Sequence, residues 1–366
     1  WDICSAAIGM DSQYSTGEVA RETLNRISGW SRDSEGLQKY IEYHGLSGLL
    51  YSLNLQEDFN FTTDFNLHLK GAVVKHQQRW AAFASILTRL IENLGSANTP
   101  FIVLKGAALA SDIYARPYQR AMADIDILVS PEAAVQVRDI CFDLGFNRPK
   151  ESAPDSSDLN FRHHHLPAIY AREGQHTVML EIHTQALSPD IEVDMSLDDT
   201  IALSRRRSLN TNEFRVFDHT NMLRHLCLHT FSRDQLIKLS GVVDIFRYSL
   251  KYENDIDWTY LQNNHFHVIN TLRCCRQLLS LPDNILPAAP KPSKKIEGAG
   301  LGILPLREYS NRSLPLSARF RQILFPSKWW QHVFYAVAPE QSLLSTRYFR
   351  HPLRILKWFV SKYRQL

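Results

Sequence analysis

Between residues 15 and 95 the apolar positions recur at the three-and-four spacing of a helix face. Leu69, Val73, His76, Trp80, Phe83, Leu87, Leu90 and Leu94 form the longest such stripe, and Gly95 is expected to end the helix. A stripe of this kind serves as core, so it predicts scaffold rather than chemistry. Beyond Thr99-Pro100 the pattern shortens. Phe101 to Leu104 is an apolar run that ends at Lys105-Gly106 and passes into a helical stretch, Ala107 to Ala115. Arg116-Pro117 breaks that stretch, and Ala123 to Val129 alternates polar and apolar residues as a half-buried strand does. Ser130-Pro131-Glu132 supplies an N-cap, a first-turn proline and an acid, so a new helix is expected there, closed by Gly145.

A polar stretch, residues 146 to 162, precedes two further strand patterns, Leu166 to Ala171 and Thr177 to Thr184, joined as a hairpin by Arg172-Glu173-Gly174-Gln175. From Asp198 a helical period is read through Met222 to Thr230, Leu236 to Ser249 and Tyr260 to Leu281. The expected organisation is a helical N-terminal lobe (1–98), a strand-rich core (99–197), a helical C-terminal lobe (198–281), a Pro-, Lys-, Ala- and Gly-rich linker (282–302) and a basic aromatic segment (303–366).

At 366 residues the chain exceeds what one core usually serves, which favours two lobes with an appendage. A content of 44% hydrophobic and 22% charged residues excludes the disordered, collagen-like and disulfide-scaffold classes. No run approaches the length of about 18 apolar residues that a helical span needs. Trp1 to Met10 also lack the basic-then-apolar order of a signal peptide, so a cytoplasmic location is expected. Cys4, Cys141, Cys227, Cys274 and Cys275 show no CxxC spacing and read as reduced thiols. The net charge of +3 is unevenly placed: residues 303–366 hold 11 Lys/Arg against 2 Asp/Glu, or +9, leaving −6 for residues 1–302. That segment interleaves its cations with Trp329, Trp330, Phe334, Tyr335, Tyr348, Phe349, Trp358 and Phe359. Three readings stay open for it: a peripheral membrane or other anionic partner, an acceptor-binding arm, and packing onto the main body.

The chemistry concentrates in the core. Asp124 and Asp126 stand two apart on a strand, so both carboxylates leave one face. Like charges that close repel unless a cation neutralises them, and oxygen donors on a rigid strand suit Mg²⁺. Asp126→Asn is therefore expected to relieve repulsion in the metal-free protein. Upstream, Lys105-Gly106 lies at a strand-to-helix turn, where a glycine lets the backbone approach a phosphate at a helix N-terminus. A third carboxylate is expected on a neighbouring strand to share the metal and to orient or deprotonate the attacking group. Glu181, amid Val178-Met179-Leu180 and Ile182-His183, fits. His183 shares its face and reads as a nucleotide-binding residue that contacts a phosphate or the metal shell, with a hydrogen-bonded structural histidine as the alternative.

The string LKGAALASDIYARPYQRAMADIDILV, followed by HHHLPAIY and LEIHTQ, resembles the family of uncharacterised nucleotidyltransferases within the polymerase beta-like superfamily, over roughly residues 40 to 265. The resemblance implies an α+β catalytic core, a small mixed sheet with helices on one face, between helical N- and C-terminal lobes. It implies Asp124, Asp126 and Glu181 as catalytic and metal-binding carboxylates, with Mg²⁺, or Mn²⁺ in its place. Lys105 and Gly106 stand where related enzymes carry Gly-Ser; the serine hydroxyl is absent, and Lys105 is the residue placed to contact the phosphates instead. Arg120 matches the family pattern and implies a bidentate phosphate contact, with a salt bridge to an aspartate as its alternative. Tyr114 and Arg116 lie on the same connection, where a base could stack or a core tyrosine pack.

The implied reaction moves a nucleoside monophosphate from an NTP to an acceptor, whether small molecule, saccharide, peptide or protein, and releases pyrophosphate. The alternative is a nucleotide- or partner-binding module that keeps the fold without turnover. Of His163, His164 and His165, one is expected to line the site's mouth, because consecutive side chains cannot all face one ion. His225 and His229, with Asp244, form a weaker constellation for a metal-dependent hydrolase, set against the reading that they pack beside the catalytic lobe.

Overall fold

In the computed structural model residues 4, 8, 34–57, 61–148, 164–187, 195–232, 238–279, 281–282, 286–297 and 324–363 are described. The chain divides into two compact units, Gly45–Leu228, and Trp1–His44 together with His229–Leu366. The expected polar loop lies outside the described residues from residue 149 to its end, as do residues 283–285 and 298–302 of the expected linker and 303–323 and 364–366 of the basic segment.

In the first unit, α2 (Ser47–Glu57) and the 34-residue α3 (Thr63–Ser96) lead into the sheet. Thr62 caps α3 through its hydroxyl, and Leu69, Val73, Phe83, Leu87, Leu90 and Leu94 are buried along one face, whereas His76 and Trp80 are half-buried. The helix runs through Gly95 to Ser96. The residue that takes the left-handed backbone is Asn98, φ 51°, whose amide closes back on the Gly95 carbonyl. Four strands follow: β1 (Ile102–Leu104), β2 (Asp124–Leu128), β3 (Ile169–Glu173) and β4 (His176–His183). Their order is β1-β2-β4-β3, with β2 parallel to β4 and the outer pairs antiparallel, a mixed sheet. Val103, Ile125, Ile127, Leu180 and Ile182 are buried, and α3 and α5 (Ala134–Asp143) pack against β4. Ser130 Oγ accepts from Ala133 N one turn ahead of α5, and Gly145, φ 90°, ends it. The β3–β4 turn is tighter than expected, with Gly174 at φ 59°.

The expectation of continuous helix after residue 198 is corrected. Beyond the short α6 (Leu197–Ile201), β5 (Arg205–Leu209) and β6 (Asn212–Val216) form an antiparallel hairpin turned at Asn210, φ 54°. Three consecutive arginines hide the alternation of β5 from a hydrophobic reading. Those arginines have structural work: β6 packs on β1, and Arg207 meets buried Asp112 at 3.3 Å. The helix α4 (Lys105–Ala110) is also shorter than expected, ending well before Ala115.

The connection from α4 to β2 is gripped by both preceding helices. His76 Nδ1 lies 3.1 Å from the Tyr118 carbonyl, and Arg79 donates to the Ala123 carbonyl at 3.2 Å. Gly48 of α2 packs so closely that a Cβ built on it would stand 2.2 Å from the Tyr118 oxygen.

The second unit holds α1 (Ser34–Tyr43), the last turn of α7 (His219–Ser232), α8 (Leu239–Lys251), α9 (Trp258–Asn264), α10 (Phe266–Arg276), α11 (Lys328–Phe334) and α12 (His351–Tyr363). The start of α8 lacks its own side-chain cap. His44 supplies one from a distance, its Nδ1 accepting from Leu239 N at 3.2 Å. Residues 286–297 are packed against α10: buried Arg276 donates to the carbonyls of Pro282, Leu286 and Ala289, and Gln277 bonds both ways with Ile296.

Two expectations follow. Gly71 lies mid-helix with nothing within 4 Å of an added Cβ. Gly71→Ala should therefore stabilise by about 0.5–1 kcal/mol through helix propensity, while Gly48→Ala destabilises by about 1–3 kcal/mol through overpacking. Thermal melts of the two variants should shift in opposite directions, and a stabilising Gly48→Ala would contradict the close approach. Burial, with Lys238 nearby, holds the His44 imidazole down at about 4 from its ordinary 6.5. A depressed histidine stabilises fully above 6.5 and loses that contribution as pH falls toward 4, a loss of at most about 3.5 kcal/mol at about 1.4 kcal/mol per pH unit. Denaturant titrations across this window should show that slope flattened in His44→Gln.

Candidate active site

The parallel pairing of β2 with β4 sets Asp126 opposite Glu181, Asp124 opposite Met179 and Leu128 opposite His183. Residues opposed in register share a face, so Asp124, Asp126, Glu181 and His183 all rise from one side of the sheet. On the other flank β1 pairs Leu104 with Asp126, so Lys105 begins beside that aspartate. Lys105 is the first residue of α4 and has φ 44°, a left-handed conformation that costs a non-glycine residue roughly 1–2 kcal/mol. Its ammonium lies 2.9 Å from Asp126 Oδ1.

The same oxygen lies 2.9 Å from His183 Nε2, and that nitrogen is 3.3 Å from Glu181 Oε2. Asp126 and His183 are almost wholly buried, while Glu181 keeps a fifth of its side chain open to solvent. Burial pushes the Asp126 carboxyl up, but Lys105 and His183 prevail and hold it well below the usual carboxylate range. The hydrogen bond from His183 lowers Glu181 against its own desolvation. Burial opposes protonation of His183, yet its bonds to Asp126 and Glu181 raise it. Asp124 goes the other way. Burial, then repulsion from Asp126, push it up to about 6, with Lys105 and Arg120 only partly offsetting.

The structure thus gathers Asp124, Asp126, Glu181, His183 and Lys105 at one centre. Donor atoms of Asp126, Glu181 and His183 come within 4.8 Å of one another, the one such group of three among the described residues; His225, His229 and Asp244 do not form one. Gly106 is the second residue of α4, at the expected strand-to-helix turn. A Cβ there would lie 2.6 Å from Arg120 Nη1, so the space above Gly106 belongs to a guanidinium. Tyr114 is buried and Arg116 exposed.

His163 lies outside the described residues. Of its neighbours, both rather than one adjoin the centre: the rings of His164 and His165 stand 5.3 and 5.2 Å from that of His183. Backbone bonds from Thr184 and Gln185 to the His164 carbonyl hold this segment against the end of β4. Of the two sequence readings of His225, packing beside the catalytic lobe is the one the described residues favour, since it forms no metal group with His229 and Asp244. It is fully buried on α7, where burial, then the charge of Lys105, push it down to about 3 and keep the imidazole neutral. A histidine among Met222, Leu223 and Leu226 is the one sequence signal for it, and that pattern alone reads as core.

The expected effect of Asp126→Asn reverses in sign. The carboxylate carries two cationic partners, so the amide would leave Lys105 and His183 without their counter-charge, at a cost of about 3 kcal/mol. Asp124 is the repelled member. Melting without metal should show Asp126→Asn clearly less stable than wild type and Asp124→Asn equal or more stable, and the opposite ranking would overturn this distribution of charge.

The sequence profile of a family described as uncharacterised nucleotidyltransferase matches residues 31–286. Among solved structures the chain is similar to an antigenic nucleotidyltransferase-like protein from Paracoccidioides brasiliensis, at 17% identity and a TM-score of 0.32, over 46% of this chain and 75% of that one. No curated protein matches.

Proposed function

The chain belongs to the uncharacterised nucleotidyltransferase family, and from that premise we propose that it transfers a nucleoside monophosphate from an NTP, ATP among them, to an acceptor at the Asp124–Asp126–Glu181 centre. The observation that carries the reading is the register of Asp126 with Glu181 on adjacent parallel strands, with Lys105 reaching across from β1. The donor set suits a divalent ion: three carboxylates supply hard oxygen ligands for Mg²⁺, and the imidazole of His183 also admits Mn²⁺. Asp124, Asp126 and Glu181 would hold it, and when bound it supplies Lewis-acid polarisation of the phosphate oxygens.

The protein's own groups divide the remaining work. Glu181 is ionised, partly open and adjacent to the buried pair, so it orients the acceptor and takes its proton. As the acceptor oxygen bonds to the α-phosphorus, the bond to the bridging oxygen breaks and pyrophosphate leaves. Lys105 exchanges Asp126 for phosphate oxygens, and Arg120, poised over Gly106, contacts the same group. His183 acts as a brace between Asp126 and Glu181. The chemistry falls within the 99–197 core. None of the five thiols is disulfide-bonded and all are buried, which suits the cytoplasm, where NTP and Mg²⁺ are abundant.

A second reading rests on one observation. Lys105 and His183 both satisfy Asp126 Oδ1, so the centre is neutralised from within, as suits a module that binds nucleotide without turnover. One experiment separates the two. Incubation with α-labelled NTPs, Mg²⁺ and cell extract should label an acceptor, with the signal falling on the order of a hundredfold or more in Asp126→Asn and in Glu181→Gln. Label arriving from the γ position instead would exclude nucleotidyl transfer. Nucleotide binding with no labelled product, unchanged in Glu181→Gln, would establish the second reading.

A further inference from the structure

The helix that continues from the π-helical turn Thr346–Arg350 into α12 presents an apolar stripe to solvent. Phe349, Leu353, Leu356 and Val360 follow at spacings of four, three and four, one helix face, and each is between 44% and 68% exposed. Leu344 and Tyr348 extend the apolar surface at its start. The opposite side is already anchored within the same unit. Thr346 and His351 are buried, Tyr335 Oη lies 2.7 Å from His351 Nδ1, and Arg350 donates to the Tyr335 carbonyl at 3.0 Å. The stripe is therefore not the face by which this helix joins its own core.

Charge identifies what fits it. Arg350, Arg354 and Lys357 each directly follow a stripe residue, so a basic row borders the apolar one. Arg350 and Arg354 rest over the Tyr335 and Phe334 rings, 5.1 and 4.3 Å from their centroids, on the anchored flank, and exposed Arg347 and Lys357 add charge to the same helix. Residues 341–366 contain six Lys/Arg and no Asp or Glu. An apolar stripe edged by cations of one sign matches a surface where acyl chains lie beside anionic headgroups. A protein groove would use the leucines and leave the cations idle, and a nucleic acid would use the cations and leave the leucines wet. We propose that this helix docks the protein on an anionic lipid bilayer, lying in the interfacial plane. No described helix is long and apolar enough to cross a membrane.

The test uses the full chain, sedimented with vesicles of phosphatidylcholine alone or mixed equally with phosphatidylserine. Partition into the anionic vesicles should be at least about tenfold stronger and should weaken as salt rises. Leu353→Glu with Leu356→Glu, and separately Arg347→Glu with Lys357→Glu, should each reduce it about tenfold or more. All four positions are exposed, so circular dichroism melts should match wild type; Leu356→Gln alone serves if the double leucine variant fails to fold. Absence of binding to anionic vesicles, or equal binding to both kinds, would overturn the proposal. So would loss of binding in the charge variant with none in the leucine variant, the behaviour of a nucleic-acid arm. Self-association that the leucine replacements dissolve, without vesicle binding, would assign the stripe to a second copy of the chain instead.

Discussion

A carboxylate buried as deeply as that of Asp126 survives ionised only if cations are held against it, and most of the first unit's architecture follows from that requirement. Lys105 and His183 reach the same oxygen from opposite directions, one from the turn after β1 and one from the end of β4. The arrangement needs β2 between β1 and β4, because only the central position brings both neighbours to one side chain. It also needs Lys105 in a left-handed backbone, which turns the chain at once from strand into helix while leaving the ammonium beside the aspartate. The strain is tolerated where an ion pair over-determines the conformation.

The electrostatic consequence is a division of labour between two aspartates that the chain spaces identically. Asp126 is compensated and stays ionised, whereas Asp124 is repelled and half-starved of counter-charge. A site with one satisfied and one unsatisfied carboxylate is poised for a cation at the unsatisfied side, and the charge of Arg120 offsets the repulsion there only in part. Arg120 holds that place because the connection bearing it is clamped: His76 and Arg79 of α3 bond its carbonyls, Gly48 admits its backbone, and Gly106 admits the guanidinium. Remote glycines thereby set a charged group near the centre. The energetics of the site are inseparable from the packing of α2 and α3.

The second unit follows a different logic. Its buried polar groups are spent on structure: His44 caps α8, and Arg276 gathers three carbonyls so that a proline-rich segment lies flat on α10. Its last helix is fixed through aromatic and histidine contacts on one side and is apolar and basic on the other. One unit thus concentrates charge inward around a chemical centre, and the other presents charge outward along a helix.

The sequence by itself determined what depends on short-range periodicity. The period of two put Asp124 with Asp126, and Glu181 with His183, on common faces, and the period of three to four marked the buried stripe of α3. It also marked the basic, aromatic character of the C-terminal segment, which is a matter of composition. Hidden from it was everything that depends on which strands become neighbours. The register of Asp126 with Glu181, and the meeting of Lys105 with Asp126 across 21 residues, are long-range facts. The hairpin of β5 and β6 escaped because its alternation is written in arginines whose partners, Asp112 among them, lie far back in the chain. Above all, the sequence presented Asp124 and Asp126 as equals. Only the tertiary structure made one a buried ion with two cations and the other a repelled acid, because burial and counter-charge are properties of the surroundings and not of the strand.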